Sequence, residues 1–569
     1  MRLTSETFLT AMIDDAAGAI AAATEGPPDI VDHAQILFRL ENAAEAFPPL
    51  YRGAMQAPLA SIFRAIGRPG WHDVLRRDPQ LQGIGLLGLD LVQSITQRQD
   101  GTEGAALAAL QEMVSDLYDG FLSDADRKGV HPPDHSVIPP LIKWGRPNAG
   151  PYAWTAPATA SYGCGAGVVN MPSAFARRGL AAWSALGHET AGHQILHADE
   201  GLHDDLAAAV HQRIQAASGE IADAAERAHL AAYWADRIDE SASDVMGIVN
   251  MGPAAATGLL AYFRALGLLR TGERRLSAFG PAGGEHPAPL ARGYLMAAAL
   301  GLCSFEQGAG WKAILDEEVD ADAPDQGASL AGRQVSKEMT RVSAGLAAEA
   351  ILTAPMNALE GHALVEIQDW REHDHRIVQL LTLKVMMGGR RLSPAAHDVV
   401  FAAHAVAAAV NAALINGDLA TAHARMIETT AAMHATNAAW SPLVVGTPGN
   451  VEHPHVIDDG GGWVGAAPPP GPALGALPMG SDSPAAPFRA HGPMPVSTDP
   501  VQRTREAIMG ASAGVPPALA LQGVGVTRYR GREKWENPGR ASGRGARRGD
   551  GPALSDDMLT ALLGPPLGA

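Results

Sequence analysis

Apolar residues recur at helical spacing along most of this chain, and alanine supplies many of them, so the fold has to be built chiefly from helices. The pattern is clear in Thr7–Ala23, Val31–Ala46 and Ala105–Leu122. Breakers separate these runs at Gly26-Pro27-Pro28, Pro48-Pro49, Gly67 to Gly70 and Gly101. Aromatic residues are only 5% of the chain, few for a β-rich architecture. With 569 residues, 46% of them hydrophobic, the chain exceeds one ordinary core, and several packed units are expected.

Changes of texture divide the chain into four expected regions. Residues 1–130 form an N-terminal helical region, 131–315 a core that carries the candidate site, 316–445 a C-terminal helical region and 446–569 a disordered tail. Prolines 132, 133, 139, 140, 147 and 151 argue against a long helix before about residue 160. Short extended runs are expected at Val137–Trp144 and Gly167–Met171. A helix is then expected from Pro172-Ser173 through Trp183 to Gly201, followed by helices over Leu206–Ser218, Glu220–Val249, Ala254–Leu269 and Leu290–Leu302. The acidic stretch Asp316–Asp325 lacks the glycine and terminal glutamate of a calcium loop and reads as a solvated linker. A further helical unit covers Val335–Ser441, with Ser393-Pro394 as a cap and first-turn proline. The fold class expected is mainly α, with a small β element beside the candidate site.

The segment that carries chemistry is Gly187-His188-Glu189-Thr190-Ala191-Gly192-His193. Its spacing is HExxxH, one residue longer than the usual zinc-peptidase HExxH. Residues five apart on an ideal α-helix point about 140° away from each other, so the two imidazoles share a cation only if the helix carries a π-bulge. Gly192 eases that distortion, having no side chain to crowd the turn. A catalytic zinc site needs a third protein ligand and an open position. Asp239-Glu240-Ser241-Ala242-Ser243-Asp244 supplies one, because Glu240 and Asp244 lie four apart on one helix face. Glu240 is the candidate ligand, and Asp244 the carboxylate that orients a ligating histidine through its far nitrogen. An alternative set is the stripe Glu189, His193 and His197, which an undistorted helix would align. Asp199, six after His193, suits a third-ligand class that needs a glycine where Leu196 stands.

The segment His188–His193 resembles the HExxGH motif of dipeptidyl peptidase III-like zinc peptidases, and Asp239–Asp244 resembles their second, acidic motif. Asp239 stands where that family has a glutamate. The resemblance covers about Gly167 to Gly252. It implies His188, His193 and Glu240 as ligands of one Zn2+ per chain, Glu189 as the base that activates water, and Asp239 with Asp244 behind the ligands. It also points to a histidine or arginine after the third ligand facing the site. His286 and Arg292 are the candidates here, as donors to the oxyanion, with Tyr294 behind them. The short run Val168, Val169 and Asn170 is a candidate edge strand for an extended peptide substrate. A TldD-type peptidase also carries HExxxH, but it needs a late cysteine ligand. Cys303, the sole downstream cysteine, sits in an apolar helix end, and that family's β-rich body disagrees with the helical texture.

The implied function is zinc-dependent hydrolysis of a peptide or protein substrate. Two rivals are a catalytically silent scaffold that binds a partner through its tail and a zinc amidohydrolase acting on a small molecule. Cys164 and Cys303 are too few for a disulfide framework, and Cys164 reads as a buried inert thiol. Met1–Ala23 lacks the basic start and unbroken apolar stretch of a secretory signal, and apolar runs elsewhere stop short of a membrane span. The expected compartment is the cytoplasm, with no membrane partner. A net charge of −18 speaks against polyanion binding by the body. The tail alone carries a basic stretch, Arg528, Arg530, Arg532, Lys534, Arg540, Arg544, Arg547 and Arg548, suited to RNA or an acidic partner, and a short amphipathic segment at Ser555–Leu563 suited to a partner's groove. His373-Asp374-His375 reads as a solvated helix face.

Overall fold

The computed structural model describes residues 6–436, apart from 23–25, 102, 123–129, 132, 137, 146–149 and 388–399, together with a strand pairing of Val444–Val445 with Trp535–Glu536. The expected tail disorder, its basic stretch, Ser555–Leu563 and Ser393-Pro394 fall outside the described residues. What is described is mainly α, with small sheets, as the apolar spacing requires.

Local chemistry sets the helix ends. Asp223 caps the Ala224–Ala235 helix by accepting from Glu226 N at 2.7 Å, and Ser336 caps Lys337–Thr353 from Met339 N at 3.2 Å. Prolines 253 and 289 open the helices Pro253–Thr271 and Pro289–Leu302, where their missing N–H has no partner to lose. One apolar core runs from Leu9 to Met433 and fully buries Trp71, Trp144, Trp183, Trp234 and Trp370. By length and composition Lys337–Leu359 could cross a membrane, yet 56% of its most apolar window is buried inside the protein, as in a core helix.

Several expected elements take another form. The helix expected from Ser173 to Gly201 is broken into 3-10 turns at Ser173–Ala176 and Leu180–Ser184 and a π-helix at Gly187–Gln194. Gly179 enforces the first break: it sits at φ 76°, and a Cβ there would meet the Phe175 ring at 2.5 Å. The helix expected over Glu220–Val249 is two helices, Ala224–Ala235 and Ile238–Met251. They part at Arg237, whose guanidinium donates to the carbonyls of Pro281 at 2.9 Å and Ala282 at 3.3 Å. This break places Asp239 and Glu240 in a first helical turn.

Asp316–Asp325 is no solvated linker. Residues up to Asp322 belong to the Gly308–Asp322 helix, and Asp322 accepts from Arg264 Nε at 2.8 Å in the interior. His373-Asp374-His375 is likewise not a solvated face. Asp374 and His375 are buried, and Asp374 pairs with His404 Nε2 at 2.9 Å.

The small sheet beside the site has three strands, β1 Leu141–Gly145, β2 Tyr152–Trp154 and β3 Val168–Pro172, in the order β1-β3-β2. β3 is therefore central, parallel to β1 (Leu141 opposite Val168) and antiparallel to β2 (Tyr152 opposite Asn170). This overturns the edge-strand reading of Val168, Val169 and Asn170. Both edges of β3 are paired and all three residues are fully buried, so no peptide can add there.

Candidate metal centre

The π-helix Gly187–Gln194 lies against the Ile238–Met251 helix, with the Gly104–Leu122 helix and β2 also in contact. Its extra residue per turn brings positions 188 and 193 to one side. Two glycine contacts let the helices approach. A Cβ on Gly192 would meet Ser243 Cβ at 2.4 Å and its Cα at 2.5 Å, and one on Gly187 would meet Gly247 Cα at 3.1 Å. Gly192 thus serves the helix crossing as well as the bulge. Gly192→Ala is expected to cost about 1–3 kcal/mol, the range for overpacking a tight interior, and to lower the melting temperature and zinc content together. A variant with unchanged melting and zinc content would contradict this close approach.

The bulge sets His188 Nε2 and His193 Nε2 3.2 Å apart, with the rings nearly perpendicular at 89°. Glu240 completes the group: Oε2 is 3.2 Å from His188 Nε2 and Oε1 is 3.6 Å from His193 Nε2. Each residue offers one ligand atom within 4.8 Å of the others, and all three are buried. Zinc ligands about 2.0–2.2 Å from one ion at tetrahedral angles stand roughly 3.3–3.6 Å from one another, and these spacings fit.

The far nitrogens explain why the near ones are electron-rich. His188 Nδ1 donates to Asp244 Oδ1 at 2.9 Å. His193 Nδ1 lies 3.2 Å from Asp239 Oδ2 and 3.3 Å from Ser243 Oγ. With the Nδ1 protons held outward, both Nε2 lone pairs and the Glu240 carboxylate point at one spot. Neutral imidazoles and a carboxylate offer only acceptors there, so the arrangement calls for a cation or for protons. Glu189 stands buried in the same π-helix, and neither of its oxygens has a hydrogen-bond partner within the protein. Glu240 Oε2 and His286 Nε2 are likewise buried without a hydrogen bond. This donor set, together with the two unpartnered Glu189 oxygens, fits zinc and a water.

The electrostatics agree. Burial drives the Glu189 carboxyl above its ordinary value, and the two histidines pull it only part of the way back. Burial opposes charge on His193, but Asp239, Glu240 and Glu189 outweigh it and push the imidazole up to about 10. His188 is also raised, since Asp244 and Glu240 overcome its burial. Without a metal, then, the electrostatics favour a proton on His193. A raised imidazole contributes stability that is complete below its ordinary value of about 6.5 and is lost as pH rises through the folded value. Zinc bound at this centre would have to displace that proton. Its binding is therefore expected to release protons at neutral pH and to strengthen as pH rises from about 6 to about 9. Calorimetry in buffers of different ionisation enthalpy measures the release, and an affinity flat across that range would contradict it.

The structure brings most of the predicted site residues together. His286 Nε2 is 3.2 Å from Glu240 Oε1, from a loop whose side chain is one-third exposed. Arg292 is buried, and its fork grips Asp244, Nε to Oδ2 and one Nη to Oδ1, both at 2.7 Å. Tyr294 turns away and donates to Asp320 Oδ1 at 2.6 Å.

No family model, curated protein or solved structure matches this chain.

The rival ligand sets do not converge. His197 Nε2 meets Asp239 Oδ1 at 3.0 Å, and the His197 ring stacks on His203 with centroids 5.7 Å apart. Asp199 Oδ1 faces His131 Nε2 at 3.9 Å, in a group of three with Asp134. Cys164 and Cys303 are buried free thiols, both pushed up by burial. Sequence reasoning missed Ser243, the second group near His193 Nδ1. Its signal was available, because Ser243 lies three after Glu240, one turn along the same helix.

Proposed function

We propose that this chain is a zinc-dependent peptidase, with His188, His193 and Glu240 holding the metal and Glu189 as general base. The observation that carries the reading is the convergence of two imidazole lone pairs and a carboxylate beside a buried glutamate that has no partner of its own. The likeness of His188–His193 and Asp239–Asp244 to the motifs of dipeptidyl peptidase III-like peptidases adds support.

Zinc, when bound, supplies Lewis acidity and makes nearby water easier to deprotonate. Glu189 takes a proton from the attacking water and later gives it to the departing amine. Its raised affinity for a proton suits both halves of that exchange. Asp244 and Asp239 hold the two imidazoles with lone pairs inward. His286, at the exposed side of Glu240, is the protein group best placed to donate to a substrate oxygen. The substrate is a peptide or an unfolded protein segment. Two unpaired buried thiols suit a reducing compartment, and we place the activity in the cytoplasm.

The test is cleavage of a panel of unstructured peptides and small amides by the purified chain. Peptide hydrolysis that a chelator abolishes and added zinc restores is the expected outcome. Hydrolysis of small amides alone, or zinc binding with no hydrolysis of any substrate, would overturn the peptidase reading.

A further inference from the structure

An arginine near a catalytic zinc is naturally read as a donor to the reacting carbonyl, but the geometry of Arg292 gives it a different task. We propose that Arg292 is a positioning residue that acts on the metal centre through Asp244 and does not touch the substrate; this rests on the zinc reading above. Its Nε and one Nη both donate to the Asp244 carboxylate, each at 2.7 Å, the two-pronged contact for which a guanidinium is shaped, and that Nη also lies 3.4 Å from His188 Nδ1. The Phe263 ring covers one face of the guanidinium, with Cζ 4.4 Å from its centroid. The remaining Nη stands 3.7 Å from Glu240 Oε2, on the ligand side of the centre. Arg292 is 3% exposed, and Asp244 is fully buried.

The chain of contact therefore runs from the Pro289–Leu302 helix through Arg292 and Asp244 to His188 Nδ1. Asp244 Oδ1 receives both the arginine and the histidine, so the position of the carboxylate, and with it the aim of the imidazole, depends on the fork. Arg292 also balances the charge of the buried Asp244 carboxylate. Lysine carries the same charge but no planar fork, so it replaces the balance and not the aim.

The experiment is a thermodynamic cycle on zinc affinity, measured by chelator competition for the wild type, Arg292→Met, Asp244→Asn and the double variant, with Arg292→Lys alongside. Each single change is expected to weaken zinc binding by about 10–100-fold. The double variant is expected to fall within about threefold of the weaker single, because the two residues act as one unit. Arg292→Lys is expected to fall between Arg292→Met and the wild type. Unchanged zinc affinity in Arg292→Met, with turnover lost, would return Arg292 to the substrate and overturn the proposal, as would losses that multiply in the double variant. If Arg292→Met does not fold, Arg292→Lys decides: zinc affinity equal to wild type overturns the proposal. A wild type that binds no zinc removes the peptidase reading itself, whereas zinc binding that ignores both Arg292 variants removes only this inference.

Discussion

Glu189→Gln is expected to keep one zinc per chain and to lose peptide hydrolysis by about 10²–10⁴-fold, the range that general acid–base groups supply. The amide fills the same volume and touches none of the three ligand atoms, so the metal has no reason to leave. What disappears is the proton acceptor. Glu189 is buried with both oxygens lacking a hydrogen-bond partner, and burial raises its proton affinity above that of an ordinary carboxylate, which suits a group that takes up a proton and gives it back. Metal analysis paired with initial rates checks the result. A variant that keeps zinc and full turnover removes Glu189 from the chemistry, and a variant that loses zinc shows that the residue holds the metal instead.

Glu240→Ala is expected to lower zinc affinity by more than about 100-fold, beyond what changes outside the ligand shell produce. Two imidazoles 3.2 Å apart then remain to hold the ion, with the third position empty. The substitution also removes the carboxylate that accounts for part of the raised proton affinity of both histidines, so they titrate closer to their ordinary value. Chelator competition gives the affinity, and histidine proton resonances followed against pH give the second effect. Zinc binding unaltered in Glu240→Ala would exclude this residue as a ligand.

The helical body was legible because alanine-rich apolar spacing leaves a chain few other ways to bury itself. The π-helix was legible too, from a steric conflict: two histidines five apart beside a glycine make sense together only if the helix bulges. Less could be seen where long-range contacts decide. Nothing local to Val168–Asn170 says that β1 and β2 flank it on both sides, so a buried central strand and an exposed edge read alike. Glu318 and Asp322 looked solvated because their partner Arg264 is more than fifty residues away. Lys143 and Asp90 form a fully buried pair at 2.7 Å that only the tertiary fold creates. Arg292 was found as a residue of the site, yet its task was not readable, since its choice of Asp244 over open space depends on how two helices cross.

On the reading proposed above, two imidazoles and one carboxylate of this chain hold zinc. Zinc-edge X-ray absorption of the loaded protein tests it directly. Nitrogen and oxygen ligands alone are expected, at about 2.0–2.2 Å, with outer-shell scattering from two imidazole rings that drops to one in His193→Ala. A sulfur ligand, or a spectrum in which His193→Ala leaves the imidazole scattering unchanged, would contradict it.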